Sequence, residues 1–252
     1  MTGGHAGDNP RLPVALPDVK VAMLLLAAGR GSRFGGAIPK AYLPLAGRAV
    51  LLRSADRLLA TAKSLGEPHE LVLVVGSEDR EPHLADLRGD LEALGATVVD
   101  GGKSRQESMQ RGLAAASPDC DLVLVHDAAR PLFPIEATCD CIRRAAQTGA
   151  ALLAIPTADT LKRVGSDGLV EATIDRSNIH AAQTPQVMQR KLLEQALEQA
   201  AASGLQATDD VSLIEAIGGS VAVVMGSSTN IKITRAADLA LAEQLWSQQP
   251  SH

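Results

Sequence analysis

The apolar residues of this chain recur in two alternating rhythms. Short apolar runs at residues 21–27, 71–75, 122–125, 150–155 and 221–224, and the near-apolar 96–99, have the length of strands. Between them the spacing is three or four. Leu51, Leu52, Ala55, Leu58 and Leu59 share one helical face within residues 50–65. Residues 81–94, 104–116, 135–147, 190–202, 209–217 and 235–246 follow the same rule. Ser104, with Glu107 three residues on, has the form of a capping box. Strands apolar on both faces and alternating with helices predict an α/β fold, a parallel sheet covered by helices.

The rhythm breaks at residues 157–176, TADTLKRVGSDGLVEATIDR, which are mostly polar. Ser166-Asp-Gly168 is a turn signal between two short strand-like pieces. The segment reads as a hairpin standing away from the core. Isolated hairpins are marginal in water, so it is expected to pack on something, most naturally a second subunit. Residues 1–19 are rich in Gly and Pro and are expected to be disordered. Residues 20–248 then form one domain carrying a β-arm at about 156–178, with no repeat and no further domain.

Composition narrows the possible functions. Hydrophobic residues make up 46% of the 252, enough for a sizeable core, but aromatics only 2%. The core must be aliphatic, and stacking platforms for single-stranded nucleic acid are lacking. A net charge of -5 disfavours a broadly basic surface. Cys120, Cys139 and Cys141 are odd in number and irregular in spacing, so reduced thiols are expected. The Cys139-Asp-Cys141 pair has no partner set with zinc-site spacing. No apolar run spans a membrane, and the N-terminus lacks a signal peptide's charged start and apolar core. These features predict a soluble cytoplasmic protein without nucleic-acid or membrane partners.

The chemistry concentrates in the loops after the strands. Residues 27–40, AAGRGSRFGGAIPK, follow the first strand. A dinucleotide fingerprint would need a glycine where Phe34 stands. Gly31 and Gly36 have P-loop spacing, but Ala37 occupies the lysine position. Instead Arg33 and Lys40 flank backbone N–H groups released by glycine, which suits an extended polyphosphate. A solvated glycine-rich loop is the plain alternative. DGGKSRQES, residues 100–108, opens a helix where base or ribose recognition is compatible with a capped turn. Asp127, in VHDAARP, ends the fourth strand, where open α/β sheets bind ligands. It suits Mg²⁺ or a ribose hydroxyl, and Arg130 suits loop ordering or an anion. His126 reads as a packed histidine. Thr208-Asp-Asp210 reads as an N-cap, and Lys232 lies beside a late strand.

Taken in order, AAGRGSRFGGAIPK, DGGKSRQES, HDAARP, ADTLKR, TIDR, AQTPQ, TDDVSLIE and NIKIT resemble the 2-C-methyl-D-erythritol 4-phosphate cytidylyltransferase family, over residues 21–243. The resemblance implies a Rossmann-like nucleotidyltransferase domain with a projecting β-arm, working as a homodimer. It implies CTP and methylerythritol phosphate as substrates, with CDP-methylerythritol and pyrophosphate as products in non-mevalonate isoprenoid synthesis. It places Arg33 and Lys40 on the triphosphate and assigns them, with Lys232, to catalysis. Ala27, Ala28, Gly29, Gly102, Arg105 and Ser108 would surround the cytidine, with Asp127 by the ribose and Mg²⁺. Arg130, Thr184 and Thr208 would join Lys232 in the sugar-phosphate pocket, while Thr160 and Arg176 on the arm would reach the partner's site. The family usually has Gln where this chain has Ala41, and aromatics near His180 and Met188, which read as packing changes. The same motifs suit a cytidylyltransferase for another polyol phosphate, such as ribitol 5-phosphate.

Overall fold

The computed structural model describes residues 19–29, 38–66 and 68–249. The expected N-terminal tail and Arg33 lie outside them. The strands are β1 (Val21–Leu26), β2 (Pro44–Leu45), β3 (Arg48–Ala49), β4 (His69–Val75), β5 (Thr97–Asp100), β6 (Leu122–Asp127), β7 (Ala150–Pro156), β8 (Leu161–Val164), β9 (Val170–Ile174), β10 (His180–Gln189) and β11 (Val221–Met225). The helices are α1 (Val50–Leu65), α2 (Arg88–Ala93), α3 (Arg105–Ala115), α4 (Ile135–Thr148), α5 (Arg190–Ser203), α6 (Ser212–Ala216) and α7 (Ala236–Ser247).

One seven-stranded sheet has the order β11-β7-β10-β6-β1-β4-β5. β1 lies parallel to both β4 and β6, and all six of its residues except Leu26 are fully buried. Its alternation feeds two cores. Met23 and Leu25 pack with Leu58 of α1, Ile142 of α4 and Phe133. Ala22 and Leu24 pack on the opposite side with Met109 of α3 and Leu193 of α5. A strand apolar on both faces therefore sits at the centre with helices on each side, as its unbroken run predicts.

β10 departs from the parallel rule. It runs antiparallel between β6 and β7. Its sequence, HAAQTPQVMQ, is half polar and carries a proline, so no strand is legible there. The ladder to β7 shifts between Ala182 and Gln186, and Pro185, which has no N–H to donate, lies in that gap. Gln183, Thr184 and Gln186 are nonetheless buried.

Two expected helices and one expected cap change. Residues 81–94 are not one helix but a series of tight and wide turns from Ser77 to Leu87, ending in the six-residue α2. Pro82 has no N–H to donate to a helical ladder, so the expected pattern is interrupted ahead of α2. The expected helix at 209–217 shrinks to α6. The capping box before α3 is half formed. Ser104 Oγ accepts the Glu107 N–H at 3.1 Å, but Glu107 reaches past Ser104 to the Lys103 N–H at 2.7 Å. Arg111 holds it there at 2.6 Å.

Among the described residues, β8 and β9 pair only with each other, as a hairpin. Val164, Leu169 and Val170 on it are 52%, 67% and 62% exposed. The three cysteines are free and buried. Among the described residues, no helix is long and apolar enough to cross a membrane.

Ser104→Ala removes the one side-chain cap of α3. The expected cost is about 1 kcal/mol, seen as a lower urea midpoint with an unchanged m-value. An unchanged midpoint would show that the cap carries no stability.

Candidate active site

The site begins with strand register. Leu26 at the end of β1 lies opposite Val74 of β4 and Asp127 of β6, so three loops leave from one rim. Ala27 donates its N–H to Val74 O at 2.7 Å, Ala128 to Leu26 O at 3.0 Å and Gly101 to Val75 O at 2.7 Å. A Cβ on Gly101 would stand 2.3 Å from the Ala28 Cβ, so these loops can touch only because residue 101 is glycine. The Gly102 N–H donates to Ser108 Oγ at 3.0 Å, and that hydroxyl donates to Ser104 O at 2.8 Å. The rim opens into a cleft of about 770 Å³ lined by Ala27, Ala28, Gly29, Lys40, Gly102, Arg105, Ser108, Asp127 and Lys232. Small residues thus alternate with charges there.

Asp127 is the centre of charge, although only 6% exposed. Its Oδ1 pairs with Arg105 Nη1. Its Oδ2 lies 2.6 Å from Lys232 Nζ and 3.8 Å from Arg130 Nε. Burial alone would favour the neutral acid, but Arg105 and Lys232 outweigh it and hold the carboxyl well below the usual range. Arg105 turns its Nη2 to Asp210 Oδ2 at 2.5 Å. Burial opposes the guanidinium's charge, and the two carboxylates more than restore it.

A buried polar frame stands behind this cluster. The Asp127 N–H donates to Thr184 Oγ1 at 3.1 Å, and Thr184 Oγ1 lies 3.0 Å from His126 Nδ1. His126 Nε2 lies 3.1 Å from Arg130 O. A carbonyl can only accept, so Nε2 carries the ring proton and the threonine hydroxyl donates to a bare Nδ1. The ring is edge-on to Phe133 at 4.4 Å. Burial, countered only in part by Asp127, pushes His126 down to about 3, so it is neutral and structural, as its sequence setting suggests. Arg130 donates to Asn230 O at 2.8 Å, and Asn230 Nδ2 donates to Thr184 O at 2.9 Å and Gln183 Oε1 at 3.2 Å. Asn230 is fully buried two residues before Lys232, which ties that lysine's segment to β10.

The expected residues divide accordingly. Ala27, Ala28, Gly29, Gly102, Arg105, Ser108 and Asp127 share the cleft with Lys40 and Lys232. Arg130 is partly buried beside Asp127, donates to Asn230 O and does not line the cleft. Thr184 is 5% exposed, and its hydroxyl is engaged by Asp127 and His126. Thr208 is exposed and does not line the cleft. Thr160 and Arg176 are exposed at the open end of the arm, just before β8 and just after β9, and do not line this chain's cleft. Ala41 and Met188 are buried, and Ala41 also lines the cleft, so its place is not one of packing alone. His180 is exposed at the start of β10, so packing within this chain does not account for it.

The N-cap reading of Thr208-Asp-Asp210 needs correction. Asp209 Oδ1 accepts the Ser212 N–H at 3.2 Å, while the N-cap position of α6 is Val211, which has no side-chain cap. Asp210 is 2% exposed and grips Arg105 instead. No local pattern separates the two acids. Asn230 and Gln186 were equally hidden, because a polar residue in an unassigned segment reads as loop.

For Mg²⁺, Asp127 offers an ionised carboxylate at the cleft, which Glu78 also lines. Among the described residues, no cluster of three or more acid, histidine or cysteine side chains forms a cage. A single carboxylate fits a cation whose other ligands are substrate phosphates and water.

The sequence model of the 2-C-methyl-D-erythritol 4-phosphate cytidylyltransferase (IspD) family matches residues 21–248. A 2-C-methyl-D-erythritol 4-phosphate cytidylyltransferase of Frankia casuarinae is 40% identical over 241 residues, covering 95% of this chain and 85% of that protein. Among solved structures, a 4-diphosphocytidyl-2C-methyl-D-erythritol synthase from Anaerococcus prevotii superposes with a TM-score of 0.78 at 29% identity, covering 92% of this chain and 97% of that one. A 2-C-methyl-D-erythritol 4-phosphate cytidylyltransferase from Thermus thermophilus gives 0.72 at 34% identity, covering 90% and 98%.

The neutral His126 has a consequence for pH dependence. Its folded pKa, about 3, lies below the unfolded value of about 6.5. Below about pH 6.5 the unfolded chain takes up a proton that the folded ring refuses. His126 therefore contributes full stability above that pH and loses it as pH falls, by up to about 1.4 kcal/mol per unit. The ring's NMR signals should not titrate between about pH 8 and 5. His126→Gln should be less stable at neutral pH but flatter in its dependence below it. A ring titrating near its ordinary value would refute the assignment.

Proposed function

The chain belongs to the 2-C-methyl-D-erythritol 4-phosphate cytidylyltransferase family, and from that premise we propose how its cleft performs the family's reaction. The enzyme transfers CMP from CTP to 2-C-methyl-D-erythritol 4-phosphate, a step of isoprenoid biosynthesis. The observation that carries the reading is the meeting of Lys40, Lys232, Arg105 and Asp127 with the small residues 27–29 in one cleft at the carboxyl ends of the strands. Open α/β sheets bind nucleotides there.

An oxygen of the sugar phosphate forms a bond to the α-phosphorus of CTP, and the bond to the pyrophosphate oxygen breaks. The attacking phosphate has a second pKa of about 6 and is already ionised at neutral pH, so no general base is needed. Neutral His126 is consistent with this. The obstacle is repulsion between anions, together with charge growing on the leaving group. Fixed cations lower both. We assign Lys40 and Arg33 to the triphosphate. Lys232, 38% exposed beside Asp127, reaches toward the incoming phosphate. Ala27, Ala28, Gly29, Gly102 and Ser108 give the cytosine ring a narrow slot, and Arg105 orders the nucleotide. Asp127 is the residue for Mg²⁺, which when bound neutralises phosphate charge.

Thr160 and Arg176 complete the sugar-phosphate site from a second subunit in this reading, with Arg130, Thr184 and Thr208 on or behind the main-domain side. The exposed Val164, Leu169 and Val170 support an arm that docks on another copy. The domain then runs over residues 20–248, with the arm at about 156–178.

Pyrophosphate release measured across four nucleotides and two polyol phosphates should be highest for CTP with methylerythritol phosphate. A preference for ribitol 5-phosphate would reverse the substrate assignment. Lys40→Ala and Arg33→Ala should each lower turnover by roughly 100-fold or more, by comparison with loss of one oxyanion donor. Near-normal kcat in both would remove them from the chemistry. Mixing inactive Arg176→Ala with inactive Lys40→Ala protein should restore activity once subunits exchange. No recovery after demonstrated exchange would locate the whole site in one chain.

A further inference from the structure

Arg105 occupies the first position of α3. That is an unfavourable place for a cation, because the positive end of the helix dipole repels it. Its charge is kept in place by two carboxylates from other parts of the fold. One is Asp127, already assigned to the nucleotide and Mg²⁺. The other, Asp210, lies 105 residues further along the chain and is 2% exposed. A buried acid is costly unless paired, and interiors are often as stable with an apolar residue there.

The loop carrying Asp210 is itself held from the sheet. The N–H groups of Asp210 and Val211 both donate to Gln186 Oε1, at 2.9 and 3.0 Å. Gln186 Nε2 donates to Asp209 Oδ2 at 2.9 Å. Gln186 belongs to β10, where it lies opposite Val125 of β6, two residues before Asp127. Both carboxylates that grip Arg105 are therefore set by neighbouring strands.

We propose that Asp210 is a positioning residue for nucleotide binding, holding the Arg105 guanidinium between itself and Asp127 so that Arg105 faces CTP. The proposal rests on the reading of Arg105 as a nucleotide-binding residue. With Asp210 in place, the Nη2 edge is anchored away from Asp127, and only Nη1 pairs with that carboxylate. Without Asp210, the guanidinium has one anion left. It turns fully onto Asp127, competes with Lys232, and leaves the nucleotide. This affects the bound ground state, so it acts on the affinity for CTP more than on the bond-making step.

The test is pyrophosphate-release kinetics with direct calorimetric binding of CTP, for wild type, Asp210→Asn, Asp210→Glu, Arg105→Ala and the Arg105→Ala/Asp210→Asn double variant. Asp210→Asn should raise both KM and Kd for CTP by about tenfold while kcat stays within about threefold. Asp210→Glu, which keeps the charge, should recover most of the loss. In the Arg105→Ala background, Asp210→Asn should add less than about twofold, since the residue it positions is gone. Lower kcat at unchanged KM would mean a smaller folded fraction and would overturn the proposal. So would losses that multiply in the double variant. Should Asp210→Asn fail to fold, Arg105→Lys carries the test. A single ammonium cannot bridge both carboxylates, so CTP binding should weaken by a similar factor, and unchanged binding overturns the proposal. Normal CTP binding by Arg105→Ala would instead overturn the nucleotide reading of Arg105. Weak binding by Arg105→Ala beside normal binding by Asp210→Asn would overturn the role of Asp210 alone.

Discussion

Burying the Asp127 carboxylate at the end of β6 is the constraint around which this site is organised. A charge that far from water must find partners. Arg105 comes from α3, Lys232 from the segment after β11, and Arg130 from the loop just beyond Asp127 itself. Each cation in turn needs an anchor. Arg105 takes Asp210, while Arg130 takes the carbonyl of Asn230. Parts of the chain more than a hundred residues apart are thereby drawn to one strand end. The same arrangement concentrates positive charge at the mouth of a cleft, as a triphosphate requires.

β10 explains how that arrangement is kept rigid. A strand in the middle of an α/β sheet is usually apolar and parallel to its neighbours. This one is antiparallel and brings Gln183, Thr184 and Gln186 into the interior. Thr184 supports the backbone of Asp127, Gln183 accepts from Asn230, and Gln186 holds the loop of Asp210. Buried polar networks are costly where unsatisfied, and in this one the three β10 side chains are all paired, while Arg130 Nε and Asn230 Oδ1 behind them have no hydrogen-bond partner among the described residues. The sheet here both carries the site and aligns it.

Sequence reading was most successful where one physical rule dominates. The run 21–27 is apolar on both faces, and β1 is the buried centre of the sheet. The helical spacing of 50–65 matches α1. The polar interruption at 157–176 contains the separate hairpin of β8 and β9. Reading failed where rules competed. In 81–94 helical periodicity contended with Pro82, and turns prevailed up to Leu87, before α2. In β10 the proline and polar residues concealed a strand whose register is made by its neighbours. The ordered motifs indicated most of the cleft, yet they did not reveal that Thr184 serves Asp127 from behind.

The sequence by itself determined the layered α/β architecture, the loops that carry chemistry, and the family, because hydrophobic periodicity and ordered short motifs are local or linear properties. Only the tertiary structure distinguished Asp209 from Asp210. The two acids are adjacent and chemically alike, and either could cap a helix. Which one is buried against a guanidinium depends on the direction each side chain takes from a loop held by Gln186, and that direction is set by strand pairing far away in the chain.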